Sequence, residues 1–408
     1  MSFFRVRGGV PLFGEVNISG SKNAALPIIF ASLITRGTST IENVPDIGDV
    51  RIALELVRSF GAVTEWERGT LRINTERLEY RAADPGLTGA IRASTYLLGA
   101  CLSRFGICNI SDSGGCAFSD RPIDLHLLAC KKFGAEEREG VLESKGLKPT
   151  TVTFPKISVG ATMNALILAS SVSGESRIFG FAREPHVLAL CDFLFSAGAD
   201  IRIEKECITV RGGKLRGGKI KVAPDMIEAG SYLAAGVITN GKVTVSGVVP
   251  EELSAFLSEL RNIGISVDIN GDRICAQRGR VSQKGRVVAE AYPGFPTDLQ
   301  PIIAPLLTIG AGGDIVDRVW QKRYGYLNSL KPFGINYKLI NEGVEIFPSV
   351  LKAGECESTD LRGGMSALLC ALRAEGESRV RRAEYILRGY ENVETKLRSL
   401  GAEIELIQ

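Results

Sequence analysis

The stretch GTSTIENV, residues 37–44, opens a unit that the chain repeats six times. Each copy runs from a Gly through a short β-type segment, a polar turn and an amphipathic helix to a second Gly. The copies open at Gly37, Gly106, Gly174, Gly241, Gly313 and Gly376 and close at Gly61, Gly134, Gly198, Gly264, Gly334 and Gly401. Successive copies begin 63 to 72 residues apart, which exceeds the roughly 20–50 residues of helical-pair solenoids and propeller blades. The period predicts a compact α/β unit that holds two helices and several strands.

A second helix is predicted just before each opening Gly. These six segments are rich in Ala, Leu, Ile and Gly and carry almost no charge, so we expect them to be buried on all sides. They are Lys22–Thr35, Ile91–Ser103, Ala161–Ser173, Ile227–Thr239, Asp298–Ile309 and Gly364–Ala374. The other helix of each repeat, for example VRIALELVRSF (residues 50–60), is amphipathic and should face solvent. We call the two kinds inner and outer helices.

The length of 408 residues suggests two or three domains, since a domain has about 100–200 residues. Two domains of three repeats each are the simplest division. We expect residues 22–222 to form one α/β domain. Residues 223–408 should form the other, completed by an N-terminal strand within residues 1–21. In each domain the three inner helices would pack together at the centre.

The composition argues against several classes of protein. The net charge is +3 and no basic tract is present, so no nucleic-acid partner is expected. No apolar run reaches the roughly 18 residues of a membrane span, and the N-terminus lacks the pattern of a signal peptide. Nine Cys lack paired spacing, and CxxC and HExxH motifs are missing. We therefore expect a cytoplasmic protein with no zinc site and no membrane partner.

Polar and charged residues gather at the N-terminal ends of the inner helices. They are Ser21, Lys22, Asn23, Arg92, Ser158, Asp225, Glu228, Thr297, Asp298, Asp360 and Arg362. Quasi-symmetric repeats should bring these ends together on one cleft, where unpaired N–H groups and helix dipoles favour an anion. Helix capping is the alternative role for Ser158 and Asp225. A cation such as Lys22 opposes the dipole, so its presence indicates a bound anion or a carboxylate partner.

The second repeat has an unusually long loop, SDSGGCAFSDRPIDLH, at residues 111–126. An insertion at one loop of a repeat protein is a functional hint. Cys116 follows two Gly in this polar segment and lies close to Arg121 in sequence. A nearby guanidinium and a helix N-terminus favour the thiolate, which is the reactive form of cysteine. The alternative is that Cys116 is simply one of nine cysteines.

Seven segments in order carry a resemblance to a known family. They are SGSKNAALPI (19–28), IRAS (91–94), GGCAFSDRPIDLH (114–126), PKISVGAT (155–162), FPTDLQ (295–300), TDLR (359–362) and RGYENVETKL (388–397). With them the chain resembles the UDP-N-acetylglucosamine enolpyruvyl transferases. The resemblance implies two inside-out α/β barrels, each of three βαβαββ-type repeats. It also implies phosphoenolpyruvate and UDP-N-acetylglucosamine as substrates, phosphate as a product, a role in peptidoglycan synthesis, and neither a metal nor a cofactor.

The resemblance also implies roles for individual residues. Cys116 would be the general acid at the enolpyruvyl methylene, and Asp298 would lie near the sugar 3-hydroxyl. Cations at Lys22, Arg121 and Arg388, with Asn23 beside them, would hold phosphoenolpyruvate, whose charge near −3 needs several Lys and Arg partners. The implied nucleotide-sugar contacts are Arg92, Pro122, Ile123, Asp124, Leu125, Lys156, Ile157, Ser158, Val159, Gly160 and Val319. Asp360 and Arg362 would line the same cleft.

Several positions depart from the family pattern. They are Ser119, Asp120, Met163, His186, Met226, Gly363 and Gly364, and the two Gly are expected to loosen a helix start by about 1 kcal/mol each. The departures keep a non-catalytic UDP-sugar-binding paralogue open as an alternative. A 5-enolpyruvylshikimate-3-phosphate synthase-like transferase is the other alternative, although that family lacks the loop cysteine. A monomer is favoured as the oligomeric state.

Overall fold

The computed structural model describes residues 2–109 and 122–408. It divides into two compact units, each with its own hydrophobic core. The N-terminal unit comprises residues 20–109 and 122–223, and the C-terminal unit comprises residues 2–19 and Pro224–Gln408. Each unit contains three of the repeats.

The inner helices form as the apolar pattern predicts. Their bounds are α1 Lys22–Ala31, α4 Leu97–Phe105, α6 Val159–Ser171, α8 Met226–Ile238, α10 Gln300–Thr308 and α12 Leu361–Arg373. Short 3₁₀ turns extend three of them, at Ser32–Ile34, Arg92–Tyr96 and Thr297–Leu299. Within the C-terminal unit α8, α10 and α12 contact one another, and within the N-terminal unit α4 contacts both α1 and α6. The inner helices therefore form the core of each unit.

Glycines allow these helices to approach closely. A Cβ atom on Gly99 of α4 would lie 2.6 Å from Asn164 Oδ1 of α6, and one on Gly230 of α8 would lie 2.7 Å from Leu299 Cδ2. Real Cβ atoms do not approach other atoms so closely, because such contacts are strongly repulsive. The Gly content of the inner helices thus reflects packing between them.

The outer helices are α2 Gly48–Ser59, α5 Asp124–Lys132, α7 Pro185–Ser196, α9 Ser254–Asn262, α11 Tyr326–Leu330 and α14 Val393–Ser399. Two further short helices are α3 Pro85–Ala90 and α13 Glu384–Leu387, and 3₁₀ turns lie at Pro250–Leu253 and Lys331–Phe333. The six closing glycines, which follow the outer helices, all have φ between 84° and 113°. Only Gly adopts this left-handed conformation readily, so it marks the ends of the outer helices.

The N-terminal unit has three main sheets among its described residues. Their strand orders are β15-β4-β6-β5, β7-β9-β8 and β10-β11-β13-β12. The strands are β3 Thr35–Arg36, β4 Thr38–Glu42, β5 Val63–Glu67, β6 Thr70–Asn74, β7 Ile107–Asn109, β8 Glu136–Arg138, β9 Val141–Glu143, β10 Thr151–Thr153, β11 Gly174–Phe179, β12 Asp200–Ile203, β13 Cys207–Gly212, β14 Leu215–Arg216 and β15 Lys219–Lys221. The short strands β3 and β14 form a separate parallel pair.

The C-terminal unit repeats this arrangement with three four-stranded sheets. Their orders are β17-β18-β16-β2, β19-β20-β22-β21 and β23-β24-β1-β25. The strands are β1 Phe3–Gly8, β2 Phe13–Asn17, β16 Lys242–Ser246, β17 Ser266–Asn270, β18 Arg273–Gln277, β19 Gly285–Ala289, β20 Gly313–Asp317, β21 Asn336–Ile340, β22 Gly343–Phe347, β23 Glu355–Glu357, β24 Gly376–Arg381 and β25 Glu403–Ile407. In each sheet, one strand begins at or directly after the opening Gly of its repeat, and these strands are β16, β20 and β24. Each of them pairs with one parallel and one antiparallel neighbour.

The prediction of a single N-terminal strand is wrong. Residues 3–17 form two strands that belong to different sheets. The strand β1 lies between β24 and β25, with Phe4 opposite Val380 and Leu406. The strand β2 lies at the edge of its sheet and pairs in parallel with β16. Gly9, with φ of 88°, and the segment that follows it separate the two strands.

Candidate functional site

In the C-terminal unit, two guanidinium groups hold the Asp298 carboxylate. Arg323 Nη1 donates to Asp298 Oδ1 at 2.9 Å, and Arg362 Nη2 donates to Oδ2 at 3.1 Å. Both arginine side chains are buried, whereas the Asp298 side chain is 26% exposed. The carboxylate therefore lies at an accessible position with its orientation fixed from two sides, and its remaining lone pairs can accept hydrogen bonds from a ligand.

Arg362 is bound to several elements of the unit at once. Its guanidinium lies 5.4 Å from the centroid of the Tyr390 ring, and the Tyr390 hydroxyl lies 2.7 Å from Ser231 Oγ of α8. Burial alone would lower the pKa of Arg362, but the nearby Tyr390, Asp298 and Asp225 raise it above its ordinary value. The first turns of α8 and α12 and the start of α10 therefore converge on one polar cluster. This convergence within the unit follows the quasi-symmetric prediction.

Three of the predicted helix-start residues cap their helices. Asp225 Oδ1 accepts from Ile227 N at 2.7 Å, and Asp360 Oδ1 accepts from Arg362 N at 3.0 Å. Ser158 Oγ accepts from Ala161 N at the longer distance of 3.4 Å. Capping, the alternative considered for Ser158 and Asp225, is thus confirmed. The long bond at Ser158 and its half-buried position leave the N-terminus of α6 less fully capped than that of α8.

A second charged cluster surrounds the start of α8. Lys396 Nζ donates to Glu228 Oε1 at 2.7 Å and to Ser19 Oγ at 2.6 Å. Ser19 N donates to Glu228 Oε2 at 2.8 Å, and its hydroxyl bonds to Glu391. Burial raises the pKa of Glu228 to about 7, although Lys396 opposes this shift. The cluster holds residue 19, the last residue of the N-terminal segment in this unit, against α8 and α14.

In the N-terminal unit, Lys22 has a carboxylate partner. Lys22 Nζ lies 3.3 Å from Asp49 Oδ2 at the start of α2, and the side chains are 14% and 5% exposed. A carboxylate was one of the two explanations for a cation at this helix start. The pair fixes the lysine side chain while leaving part of its surface accessible, so an anion can still bind to it. Asn23 lies beside it in the first turn of α1 and is half-buried.

Arg92, His126 and Asn164 form a further polar group in this unit. Asn164 Oδ1 accepts from Gly99 N at 2.8 Å, so its amide nitrogen faces Thr95 O at 3.0 Å and His126 Nδ1 at 2.7 Å. Nδ1 must then accept a hydrogen bond, which requires a neutral imidazole. Burial lowers the pKa of His126 to about 4, with a further contribution from Arg92 and an opposing one from Asp124.

The same histidine contacts the start of α6. A Cβ atom on Gly160 would lie 2.7 Å from His126 Cε1 and 2.9 Å from Nε2. Only a residue without a side chain fits there, and this explains the Gly in PKISVGAT. His126 therefore packs α5 directly against the first turn of α6. Burial also lowers the pKa of Arg92.

The remaining predicted contacts are placed as follows. Pro122, Asp124, Lys156 and Ile157 are exposed, Ile123, Val159 and Gly160 are half-buried, and Leu125 is buried in the core of the N-terminal unit. In the C-terminal unit Val319 is 40% exposed, and Arg388 follows α13 and is half-buried. Cys116 and Arg121, with the departures Ser119 and Asp120, lie outside the described residues.

The other eight cysteines are free thiols, and all but Cys275 are buried. Burial raises the pKa of Cys191 and of Cys356 to about 12. Such groups remain protonated and unreactive at neutral pH. Cys275, in β18, is partly exposed and provides the natural comparison for any test of Cys116.

The structure gives Gly363 and Gly364 a packing role at the start of α12. A Cβ atom on Gly363 would lie 2.8 Å from Tyr326 Cβ, and one on Gly364 would lie 2.7 Å from Ile386 Cγ1. The start of α12 is thus packed too closely for Ala or Ser. Of the other departures, Met163 is fully buried in the core and Met226 is partly buried against it.

Sequence reasoning missed three residues that organise these groups. Arg323 is one of three cations in DRVWQKRYGYL (residues 317–327), and no pattern distinguishes it from its exposed neighbours. Asp49 is the single acid in the first turn of α2, where a carboxylate is favoured by the helix dipole in any case. His126 ends the motif that carries Arg121, and its position next to the predicted contact Leu125 was the available signal.

The chain is similar to known proteins along almost its whole length. The chain matches the family model of EPSP synthase (3-phosphoshikimate 1-carboxyvinyltransferase) over residues 6–397. It is 38% identical over 414 residues to the UDP-N-acetylglucosamine 1-carboxyvinyltransferase of Campylobacter hominis, with 99% of each chain covered. It is 37% identical over 422 residues to that of Campylobacter lari, with 100% of each covered.

A solved structure shows the same fold. The crystal structure of the enolpyruvyl transferase NikO from Streptomyces tendae matches with a TM-score of 0.88, at 24% identity, over 99% of this chain and 98% of that one. The predicted fold class, two inside-out α/β barrels of three repeats each, is thereby confirmed.

Proposed function

The chain belongs to the enolpyruvyl transferase family, and we propose that it transfers the enolpyruvyl group of phosphoenolpyruvate to the 3-hydroxyl of UDP-N-acetylglucosamine. Phosphate is released, and the product enters peptidoglycan synthesis. The observation that carries the proposal is the full-length identity of 36–38% to relatives named UDP-N-acetylglucosamine 1-carboxyvinyltransferase. The polar groups at the inner helix starts of each unit support it.

Phosphoenolpyruvate carries a phosphate and a carboxylate, so its binding needs several cations. We assign this role to Lys22, Arg121 and Arg388, with Asn23 as a neutral neighbour. The Lys22–Asp49 pair supports the assignment, because it holds the ammonium group in place while the side chain stays partly exposed. Binding of a trianion then requires no large rearrangement of this lysine.

The acceptor hydroxyl is assigned to Asp298. Its carboxylate is held by Arg323 and Arg362 and remains a quarter exposed. Here it would accept a hydrogen bond from the sugar 3-hydroxyl, orient its oxygen and receive its proton as the oxygen attacks C2 of the enol. The two guanidiniums would then act as positioning residues that keep the carboxylate in one orientation.

Addition also requires a proton at C3 of the enol, and we assign its delivery to Cys116. The bond from the sugar oxygen to C2 forms as the thiol protonates C3, which gives a tetrahedral ketal that still carries phosphate. Loss of a proton from C3 restores the double bond as the C2–O bond to phosphate breaks. The same thiol can attack C2 itself, since cysteine acts both as an acid and as a nucleophile.

The nucleotide part of the acceptor is assigned to the start of α6. The diphosphate would contact the N–H groups of Ser158, Val159 and Gly160, which lie at a helix N-terminus and so favour an anion. Contacts with Arg92, with residues 121–125, with Lys156 and Ile157, and with Val319 complete the proposed set. Asp360 and Arg362 are assigned to the same binding region.

Several further assignments belong to this proposal. We propose two domains of three repeats each, residues 22–222 and residues 1–21 with 223–408. We propose a cytoplasmic monomer whose partners are its two small-molecule substrates. The eight described cysteines are free thiols, which supports a reducing compartment. Among the described residues, none of the helices is both long and apolar enough to cross a membrane.

Phosphate release by the full chain tests the proposal. Phosphoenolpyruvate is supplied with either UDP-N-acetylglucosamine or shikimate 3-phosphate, and turnover is expected with the nucleotide sugar alone. Turnover with shikimate 3-phosphate alone would assign the chain to the other branch of the family. Binding of UDP-N-acetylglucosamine by calorimetry without any phosphate release would identify a non-catalytic paralogue instead.

A further inference from the structure

The C-terminal unit has a cavity at the end of its inner helices away from Asp298. Its volume is about 650 Å³, and it is lined by the C-terminal ends of α10 and α12 and by the segment 348–353. The helix α12 has 13 residues from Leu361 to Arg373, so the cavity lies roughly 18 Å along the helix from the Arg362 end. It is a site separate from the one proposed for catalysis.

Three cations line this cavity. They are Arg278 at the end of β18, Lys352, and Arg373 in the last turn of α12, and the one acidic residue in the lining is Glu375. Burial lowers the pKa of Arg278, and the like charge of Arg373 lowers it further. Two guanidiniums that repel each other in a partly buried position are stabilised by an anion placed between them.

Arg278 has a structural role that Arg373 does not share. Arg278 Nη2 donates to the carbonyl of Ile309 at 2.9 Å, and Nη1 donates to Asn240 Oδ1 at 2.9 Å. Arg278 thus serves the C-terminal end of α10, where a cation is favoured by the helix dipole. No such hydrogen bond or ion pair joins the Arg373 side chain to any other described residue.

An arginine at the end of an inner helix in the N-terminal unit behaves differently. Arg104 lies in the last turn of the inner helix α4, as Arg373 does in α12. Arg104 donates to two backbone carbonyls, those of Thr35 at 3.0 Å and Thr75 at 2.8 Å. The helix end therefore can satisfy such an arginine, and α12 instead directs Arg373 to the lining of a cavity.

The rest of the lining is apolar or carries hydroxyl groups. Ile309, Pro348, Val350 and Leu351 contribute apolar surface, and Val350 is 81% exposed at the rim. Ligand sites commonly combine 300–1,000 Å³ of volume, apolar walls and a few polar groups in this way. Three cations against one acid select an anion, and arginine binds phosphate oxygens bidentately.

We propose that this cavity binds a small organic phosphate. Its phosphate group would lie between Arg278, Lys352 and Arg373, and its apolar part would contact Pro348 and Val350. The inference depends only on residues of the C-terminal unit, so it holds whether or not the proposed transfer reaction is correct.

Calorimetric titration of the full chain with phenyl phosphate tests the site. Arg373→Gln should weaken binding by about 10-fold or more, as expected for loss of a charge-assisted hydrogen bond. Arg286→Gln is the matched control, because Arg286 is an exposed residue of β19 outside this lining. It should bind within 2-fold of the wild type. Arg388→Gln, at the proposed catalytic site, should retain the same binding.

A second variant tests the cavity independently of any folding defect in Arg373→Gln. Val350→Asp changes an exposed rim residue and should weaken phenyl phosphate binding by repulsion without changing the melting temperature. Equal affinity in the wild type, Arg373→Gln and Val350→Asp would overturn the proposal. So would the absence of binding, or binding that is lost in Arg388→Gln and retained in Arg373→Gln, since the phosphate would then enter only the catalytic site.

Discussion

Acidification from pH 7.5 to pH 5 should destabilise the N-terminal unit through His126. The imidazole is buried and accepts a hydrogen bond at Nδ1 from the Asn164 amide, which is itself oriented by Gly99 N. Protonation would place an N–H group against this amide and a positive charge close to Arg92. Folding therefore lowers the pKa of His126, and the unfolded chain binds the proton more readily.

The size of the effect follows from the two pKa values. The ordinary value is 6.5 and the folded value is about 4. This contribution to stability is complete above pH 6.5 and is lost as the pH falls toward 4. At pH 5 protonation favours the unfolded chain by a factor of roughly 30, or about 2 kcal/mol, and below pH 4 the loss reaches about 3 kcal/mol.

Urea unfolding at the two pH values measures this loss. The chain has two tryptophans, Trp66 in the N-terminal unit and Trp320 in the C-terminal unit. In a Trp320→Phe background the fluorescence of Trp66 reports on the N-terminal unit alone. His126→Gln keeps a hydrogen-bond acceptor for Asn164 but does not titrate. Between pH 7.5 and pH 5 its free energy of unfolding should therefore fall by about 2 kcal/mol less than that of the parent.

A matched control is the only other histidine, His186 in α7. His186→Gln should keep the part of the pH dependence that comes from His126, because the buried imidazole is unchanged in it. Parallel profiles for the parent and His126→Gln would refute the reasoning, because the buried imidazole would then make no contribution to the pH dependence. A steeper profile for His126→Gln would refute it as well.

Three further predictions concern the proposed site and its support. Asp298→Asn should lower kcat by about 100-fold or more. It should also destabilise the C-terminal unit by up to about 3 kcal/mol in urea unfolding, because it removes the carboxylate charge that Arg323 and Arg362 share. Unchanged kcat would remove Asp298 from the mechanism. Gly364→Ala should lower the free energy of unfolding by about 1–3 kcal/mol in urea unfolding, because its Cβ atom would clash with Ile386. The control is Gly325→Ala, whose Cβ atom would meet nothing within 4 Å and whose stability should stay within about 0.5 kcal/mol of the wild type. Equal losses of stability in the two variants would contradict the packing argument. A phosphoenolpyruvate-like epoxide should label Cys116, as seen by peptide mass spectrometry, and labelling should be lost in Cys116→Ser and kept in Cys275→Ser; spread over several cysteines, the label would count against a special thiol.

The inner helices were predictable from sequence because their surroundings leave little choice. A segment that is apolar on all sides must be buried all round, and the structure places α6 and α8 within two residues of their predicted starts. The N-terminal strands were not predictable in the same way. The partner of β1 is β24, more than 360 residues away, and nothing local in residues 3–17 indicates which sheet each strand will join.

The candidate site was also predictable only in part. Position at a helix start identified Lys22, Asp298 and Arg362, because a charge there needs a particular explanation. The identity of each partner came only from the fold. The sequence allowed either a bound anion or a carboxylate of the protein as the partner of Lys22. The structure shows Asp49, in the first turn of the next helix, α2, as this partner. Arg323 lacked any positional signal, since it lies within a turn rather than opening a helix.

The most direct test of the central claim is to identify the product formed on the nucleotide sugar. The full chain is incubated with phosphoenolpyruvate and UDP-N-acetylglucosamine, and the acceptor is analysed by mass spectrometry and proton NMR. The account predicts a carboxyvinyl ether at the 3-position of the sugar, with one phosphate released for each ether formed. An acceptor recovered unchanged from folded protein, or one modified at another position, would contradict it.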